Sequence, residues 1–277
     1  HRPRQQEYHF HTRGPNGNIN VEDIFNSFFG QGEPFFGNGF GPDQRAHQRN
    51  QNITIAADLE LEDIVNGKSL IDYVLDTASE LNPDSITLVV GFQKDRVKNH
   101  IQNDNVNYVS QEEQLGTGHA ALQLENQLEN QSGHLLILYG DAPNIKSSTL
   151  SPIISEHIEE NRNATLITAT LDDPTGYGRI IRSENGDLLR IVEEKDCTAD
   201  EKKIKEWNPG IYIFKIPQLF SELKRIESNN ASNEYYLTDV IELIKENFPV
   251  QAEKIINPAE VIGINTINQL SNLENNN

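Results

Sequence analysis

Beyond residue 69, the chain alternates between two patterns of apolar positions. Short unbroken apolar runs are typical of buried strands, and apolar residues three and four apart are typical of helices. The runs predict strands at 86–90, 107–110, 135–138, 165–170 and 211–214. The helical spacing predicts a helix that includes Leu70–Ala78 and further helices at 94–101, 118–129, 149–160, 217–226 and 236–247. This alternation favours an α/β fold with a mainly parallel sheet covered on both faces.

Two further predicted strands, at 178–183 and 187–192, flank the dipeptide Asn185-Gly186. Asn-Gly is a favoured two-residue hairpin turn, because both residues tolerate a positive φ. The segment therefore predicts a β-hairpin with this dipeptide at its tip. Ligands of open α/β sheets bind beyond the carboxyl ends of the strands, which places Gly91, Gln111 and Asp141 at the rim of the expected site.

The first part of the chain has a different pattern. Residues 51–64 alternate apolar and polar positions, which predicts a strand. Residues 1–50 follow no period and hold 7 of the 11 phenylalanines and 7 of the 18 glycines. Glycine-rich segments lose much conformational entropy on ordering, so we predict disorder with one short helix at Val21–Phe29. Two interpretations stay open: a flexible tail, or an aromatic segment that contacts a partner transiently.

Charge and composition limit the expected partners. The chain has 23 basic and 42 acidic side chains, a formal net charge of −19. Nucleic acids and anionic membrane surfaces attract clustered Lys and Arg, so neither is expected, and no apolar run reaches the length of a transmembrane helix. Cys197 is the only cysteine, which makes a reducing cytoplasm the expected compartment. Methionine is absent, so we expect a fragment, a processed product or an open-ended reading frame.

The segment 111–120 (QEEQLGTGHA) follows a predicted strand and opens a predicted helix. Its glycines would let backbone N–H groups approach a ligand, and a helix N-terminus favours an anion or a carbonyl-rich base edge. The carboxamide of Gln111 both donates and accepts, which suits a uracil edge. The alternative is a helix start that tolerates glycine.

Asp141 follows a buried strand in the sequence Leu138-Tyr139-Gly140-Asp141. Mg²⁺ takes hard oxygen ligands, and it commonly lies between a carboxylate at such a strand end and bound phosphate groups. The alternative role for Asp141 is to cap the next element.

The loop 172–179 (DDPTGYGR) is rich in turn-forming residues and precedes a predicted strand. Glycines on both sides of Tyr177 permit close contact between the backbone and a ring-shaped ligand. Glu193 and Asn208 follow on later strand ends, and a carboxylate with a neutral amide can bind sugar hydroxyls. Each of these groups, taken alone, is also typical of a solvated loop.

Seven ordered segments resemble one family. They are 111–119 (QEEQLGTGH), 138–141 (LYGD), 171–179 (LDDPTGYGR), 191–196 (IVEEKD), 208–211 (NPGI), 234–239 (EYYLTD) and 260–265 (EVIGIN). Through these segments, residues 69–274 resemble the uridyltransferase (pyrophosphorylase) domain of the bacterial bifunctional enzyme that makes UDP-N-acetylglucosamine. The resemblance implies a Rossmann-like α/β nucleotidyltransferase fold of the nucleotide-diphospho-sugar transferase type.

The resemblance also implies a reaction and a set of site residues. UTP and N-acetylglucosamine 1-phosphate would form UDP-N-acetylglucosamine, a precursor of cell wall and lipopolysaccharide, and release pyrophosphate. The implied UTP contacts are Gln111, Gly116, Thr117, Tyr139 and Gly140, and the implied sugar contacts are Gly178, Glu193 and Asn208. Asp141 and Asn265 would hold Mg²⁺, with Asp141 as the catalytic residue. Pro209 departs from the threonine that is usual after this asparagine.

The segment that wraps the triphosphate in this family is not found in the sequence. The family begins with a strand, a glycine-rich loop with an arginine, and a Pro-Lys pair. Residues 53–57 (ITIAA) are candidates for the slot of that strand, but 58–63 (DLELED) supply four carboxylates and no glycine. Carboxylates repel a triphosphate, so we expect weak or absent UTP turnover. The family's β-helical acetyltransferase half is not found either, and we expect the trimer that it supports to be lost.

Residues 1–68 resemble a second family. The segment 21–30 (VEDIFNSFFG) resembles the glycine-phenylalanine region of J-protein co-chaperones, and 51–70 resembles the start of their client-binding domain, which implies chaperone or client contact through 1–50. The predicted organisation is a leader at 1–50, a strand and joint at 51–68, and a truncated uridyltransferase-like domain at 69–277. Three functions stay open: an impaired uridyltransferase, a client-binding co-chaperone fragment, and a non-natural chimera without activity.

Overall fold

The computed structural model describes residues 51–57, 64–65, 68–101 and 103–264. The strands are β1 (Gln51–Ala57), β2 (Ile64–Val65), β3 (Lys68–Ser69), β4 (Ser85–Val90), β5 (Val106–Ser110), β6 (His134–Tyr139), β7 (Ala164–Thr170), β8 (Gly178–Arg182), β9 (Leu188–Val192), β10 (Glu206–Asn208), β11 (Tyr212–Lys215) and β12 (Val250–Lys254). The helices are α1 (Leu70–Glu80), α2 (Lys94–His100), α3 (Thr117–Leu122), α4 (Glu125–Leu128), α5 (Ser147–Glu159), α6 (Ile216–Leu223) and α7 (Leu237–Lys245). The predicted helix at Val21–Phe29 and the Gly/Phe-rich leader lie outside the described residues.

One sheet connects ten of these strands, in the order β5-β4-β1-β6-β11-β7-β10-β8-β9, with β12 on β7. The half from β5 to β6 is parallel, as predicted. From β11 to β9 the pairing is antiparallel, so the expectation of a mainly parallel sheet is wrong there. The short connection between β8 and β9 allows only antiparallel pairing, and β10 is too short to leave an apolar run in the sequence.

β1 takes a central position in the parallel half. It pairs in parallel with β4 on one side and with β6 on the other. The β-branched residues Ile53, Thr54 and Ile55 favour a strand, and the predicted strand is confirmed over 51–57. Residues 58–63, where the prediction continued, lie outside the described part.

Apolar side chains fill both faces of the sheet. Along β6, Leu136 and Leu138 belong to one buried cluster and Leu135 and Ile137 to the other, as expected for side chains that alternate across a strand. Helices α1 and α5 pack on the first cluster, and α3, α6 and α7 pack on the second. The prediction that helices cover both faces is therefore confirmed.

Two local predictions differ from the structure. The helix predicted at 118–129 is divided into α3 and α4, because the backbone N–H groups of Gln123 and Leu124 bond three residues back and tighten the turn. The hairpin tip is not a two-residue Asn-Gly turn. The Gly186 N–H donates to the Ser183 carbonyl at 2.9 Å, and Gly186 has a φ of 89°, so it closes a longer turn that Ser183 opens.

Across the described part of the chain, the helices are too short or too polar to cross a bilayer.

The start of α1 provides a first testable prediction. The backbone N–H of Ser69 donates to the Asp72 carboxylate at 3.0 Å, and His100 Nε2 lies 3.0 Å from the same oxygen. Burial alone would raise the pKa of Asp72, but the hydrogen bonds from Ser69 and His100 outweigh it and lower the pKa. The contribution of this cap to stability is therefore present above the pKa of the unfolded chain and is lost as pH falls through the lower folded-state pKa.

We expect Asp72→Ala to reduce the free energy of unfolding by about 1 kcal/mol at neutral pH. The difference from the wild type should shrink below about pH 4, where the carboxyl group becomes protonated. Urea denaturation at neutral pH and below about pH 4 measures this difference in the free energy of unfolding. Asp76→Ala is the matched control. Asp76 lies on the same helix as Asp72 and forms an exposed ion pair with Lys68, which precedes the helix. Equal losses in the two variants would contradict the capping role.

Candidate active site

A cavity of about 290 Å³ opens where β6, β9 and β10 end, where β8 begins, and beside the N-terminus of α7. It lies at the carboxyl end of β6, as expected for ligand sites in α/β sheets. Its lining residues are Thr117, Tyr139, Asp141, Ala142, Tyr177, Gly178, Glu193, Asn208, Pro209, Gly210, Tyr212, Glu234, Tyr236, Thr238, Val261 and Gly263.

Six residues singled out from the sequence meet at this cavity, and three other described candidates do not. The six are Thr117, Tyr139, Asp141, Gly178, Glu193 and Asn208. Gln111, Gly116 and Gly140 do not line it, and Asn265 lies outside the described residues. The roles assigned to all ten remain predictions.

Asp141 stands just beyond the end of β6. Its backbone carbonyl accepts a hydrogen bond of 2.8 Å from the Ile264 N–H, which ties the segment 261–264 to the cavity. Burial raises the pKa of the Asp141 carboxyl group. A partly buried carboxylate is a hard oxygen ligand whose charge a divalent cation would compensate, so Asp141 fits a place in a Mg²⁺ site. Among the described residues, no group of three or more His, Cys, Asp and Glu side chains is arranged to hold a metal.

Glu193 and Gly178 form one wall. Glu193 Oε1 accepts a hydrogen bond of 3.1 Å from Thr238 Oγ1, which connects the end of β9 to α7. Burial raises the pKa of Glu193, and the charges of Asp196 and Glu234 raise it further. A Cβ at position 178 would lie 3.3 Å from Glu193 Oε2, so glycine leaves room there. The wall can therefore present a carboxyl group and an open backbone to a hydroxyl-rich ligand.

Asn208 organises the opposite side. Its Nδ2 donates to the Tyr212 hydroxyl at 2.6 Å, and its Oδ1 accepts from the Gly210 N–H at 3.2 Å. The amide thus fixes the turn that carries Pro209 into the cavity, and its oxygen keeps a second lone pair for a ligand. Pro209 supplies no N–H at this position.

Tyr139 packs directly against Gly210. A Cβ at position 210 would lie 1.7 Å from Tyr139 Cε2, and Gly210 has a φ of 83°. Burial raises the pKa of the Tyr139 hydroxyl well above its ordinary value, and the nearby Glu193 raises it further, against a hydrogen bond from Thr117. Tyr139 is therefore a neutral, fixed part of the wall.

The glycine-containing loop at 111–118 is engaged with the protein itself. Gln111 Nε2 donates to the Gly116 carbonyl at 3.1 Å. The Gly118 N–H donates to the Tyr235 carbonyl at 2.8 Å, and the Tyr235 N–H donates to the Leu115 carbonyl at 2.8 Å. A Cβ at position 116 would lie 2.6 Å from the Tyr235 carbonyl oxygen. The glycines at 116 and 118 therefore permit a close approach of this loop to segment 234–237.

Sequence reasoning gave no role to several residues that line the cavity. Tyr236 and Thr238 lie in the segment 234–239, whose family resemblance implied no role for a particular side chain. The Tyr177 ring contacts the Trp207 ring in a tilted arrangement, with ring centroids 4.1 Å apart and an interplanar angle of 48°. Its position between two glycines was the available signal. The proximity of Gly210 to Tyr139 depends on the fold and left no signal in the sequence.

The cavity is acidic. Asp141, Glu193 and Glu234 line it, and none of the described residues on its surface is a lysine or arginine. Nearby, burial raises the pKa of Asp239 to about 6, with further contributions from Glu242, Glu193 and Asp196. A phosphate-bearing ligand would therefore need cations from outside this lining.

The fold and the cavity define a class. The family model for nucleotidyl transferases matches residues 52–256, and the chain belongs to this family. The structure of a UDP-glucose pyrophosphorylase in complex with UDP-glucose superimposes with a TM-score of 0.64, covering 82% of this chain and 98% of that one. At 17% sequence identity, this likeness shows the shared fold, and the predicted nucleotide-diphospho-sugar transferase fold is confirmed.

Relatives by sequence point to a narrower group. The bifunctional protein GlmU of Clostridium botulinum (strain Loch Maree / Type A3) is 42% identical over 210 residues, which cover 76% of this chain and 46% of that protein. The GlmU protein of Acetivibrio thermocellus is 44% identical over 208 residues, which cover 75% and 45%. The chain therefore spans a little under half the length of the curated relatives that it matches.

Proposed function

We propose that this chain binds N-acetylglucosamine 1-phosphate in the cavity and joins it to UTP, with Mg²⁺, to form UDP-N-acetylglucosamine at a low rate. The observation that carries the proposal is the meeting of Asp141, Glu193 and Asn208 at one cavity. They meet in a chain of the nucleotidyl transferase family whose relatives include GlmU proteins.

The lining suits a sugar with several hydroxyl groups. Glu193 and the free lone pair of Asn208 can accept hydrogen bonds from hydroxyls, and the Thr238 and Tyr236 hydroxyls can donate or accept. Pro209 and Val261 supply apolar surface for the less polar face of the ring. This mixture of a few polar groups with apolar walls is typical of small-molecule sites.

The proposed reaction is a displacement at phosphorus. A phosphate oxygen of the sugar phosphate forms a bond to the α-phosphorus of UTP, and the bond to the bridging oxygen breaks, with the electron pair leaving on pyrophosphate. Asp141, with Asn265, would hold Mg²⁺, which when bound neutralises phosphate charge. The described side chains contribute by orienting the sugar, since positioning accounts for much of the rate in such reactions.

The low rate follows from charge. The described lining offers carboxylates and no cationic side chain to the phosphates, and like charges repel strongly where water is excluded. The acidic sequence 58–63, which follows β1, adds four carboxylates to the chain directly after a central strand.

We expect Asp141→Asn to reduce pyrophosphate release by about a hundredfold, the typical effect of removing one electrostatic group from such a site. The assay contains UTP, Mg²⁺ and N-acetylglucosamine 1-phosphate, and Asp104→Asn is the matched control, because Asp104 is exposed and does not line the cavity. Binding of UDP-N-acetylglucosamine, measured by calorimetry, tests the sugar site when turnover is too slow to detect. A wild type that neither releases pyrophosphate nor binds this product would overturn the proposal.

A further inference from the structure

The loop before β8 brings Tyr177 and Gly178 to the cavity. Its outer residues Thr175 and Gly176 are exposed to solvent, and the space around Gly176 is open, since a Cβ there would have no neighbour within 4 Å. Packing therefore holds the outer half of this loop weakly, and its position depends on polar contacts.

Two charged side chains that do not line the cavity hydrogen-bond to the backbone beside Tyr177. Arg179 is only 1% exposed, and its guanidinium donates to the Tyr177 carbonyl and, at 2.7 Å, to Glu194 Oε2. The same carboxylate oxygen accepts a hydrogen bond of 3.3 Å from the Gly176 N–H. The ion pair is thus bonded to the backbone on both sides of the Cα atom of Tyr177.

A buried ion pair is a weak source of stability, because desolvation of the charges offsets their attraction. The pair nevertheless restrains the backbone at Gly176 and Tyr177, because it hydrogen-bonds to both residues. The Tyr177 ring in turn rests on Trp207, which is fully buried. Arg179 and Glu194, neither of which lines the cavity, therefore hold the backbone of one cavity wall.

We propose that Arg179 and Glu194 are positioning residues that hold Tyr177 against Trp207 and thereby set the affinity of the cavity for the sugar part of its ligand. The identity of that ligand rests on the proposed function. The position of Tyr177 does not, and it can be measured without any ligand.

Trp207 is the only tryptophan in the chain, so its fluorescence reports on the Tyr177 contact. Glu194→Gln removes the charge and keeps one oxygen acceptor, and it is expected to increase the quenching of Trp207 by acrylamide several-fold in the absence of ligand. Glu194→Asp keeps the charge but has a side chain one carbon shorter. Its quenching by acrylamide should lie between that of Glu194→Gln and that of the wild type. Lys202→Gln is the matched control, because Lys202 contacts the same carboxylate from the solvent side at 3.4 Å. In Lys202→Gln, acrylamide should quench the Trp207 fluorescence to the same extent as in the wild type.

Ligand affinity provides the second measurement. We expect Glu194→Gln to weaken binding of UDP-N-acetylglucosamine by about tenfold, equivalent to about 1.4 kcal/mol, while binding of UDP, which lacks the sugar, changes less than about twofold. Wild-type quenching in both Glu194 variants would overturn the proposal, as would equal weakening for the two ligands. If the wild type does not bind UDP-N-acetylglucosamine, the proposed function fails, and the quenching result alone then supports or overturns the positioning role.

Discussion

Replacing Gly210 by alanine is expected to destabilise the protein by about 3 kcal/mol or more and to abolish ligand binding in the cavity. Two effects add. A residue with a side chain at a φ of 83° is strained by about 1–2 kcal/mol. In addition, the new Cβ would lie 1.7 Å from Tyr139 Cε2, and relief of such overpacking costs about 1–3 kcal/mol. Because Tyr139 lines the cavity, its displacement changes the wall that meets the ligand.

Gly186→Ala separates these two effects. Gly186 also has a positive φ, 89°, but a Cβ there would meet nothing within 4 Å, so only the backbone strain remains. Urea denaturation of both variants measures the difference. The double variant Gly210→Ala with Tyr139→Ala should recover part of the packing loss, because the ring in the way is gone. Equal destabilisation by Gly186→Ala and Gly210→Ala would show that the Tyr139 contact is not tight.

Acidification is expected to destabilise the wild type through a buried histidine pair. His157 is fully buried. Its Nδ1 lies 2.8 Å from Thr165 Oγ1, and its Nε2 lies 2.9 Å from His134 Nδ1. Burial lowers the pKa of His157 to about 3, with further contributions from His134, Arg162 and Lys215. Burial also lowers the pKa of His134.

The direction of the effect follows from these lowered values. Between the folded-state pKa near 3 and the unfolded value near 6.5, only the unfolded chain binds the proton, so stability is full above about pH 6.5 and falls as the pH drops. One such histidine removes about 2 kcal/mol between pH 7 and pH 5.

His157→Gln cannot take up this proton, so its unfolding free energy should change less over the same interval. Denaturation curves of the two proteins at pH 7 and pH 5 give the comparison. His119→Gln serves as the control, since it leaves the buried pair intact and should keep the wild-type difference. An unchanged pH dependence in His157→Gln would refute the role of this histidine.

The parts of the fold that follow one physical signal were predictable from the sequence. The strand at 135–138 and the helix around Leu70–Ala78 have strong apolar patterns, and both lie within one residue or two of their expected places. Two strands of the other half, β10 and β12, were not predictable in the same way. β10 has three residues and β12 is half-exposed, so neither leaves a period in the sequence.

The site shows the same division. Asp141, Gly178 and Glu193 follow or begin strands and were singled out from the chain alone. Gly210 and Trp207 act through contacts with residues far away in sequence, Tyr139 and Tyr177. Such contacts exist only once the strands are assembled. The glycines at 116 and 118 also permit a close approach to Tyr235, a contact that the sequence alone did not reveal.

The central place of β1 has a consequence for how the protein reaches this structure. β1 is synthesised before β4, yet its second neighbour β6 follows β5, α3 and α4, with Gln51 opposite His134. Closing so long a loop is entropically expensive, and folds rich in such distant pairings assemble slowly. During synthesis, β1 must wait with one edge unpaired until the chain as far as Tyr139 has emerged. The pairing of β1 is therefore completed late, and amide exchange during refolding should show β6 gaining protection after β4.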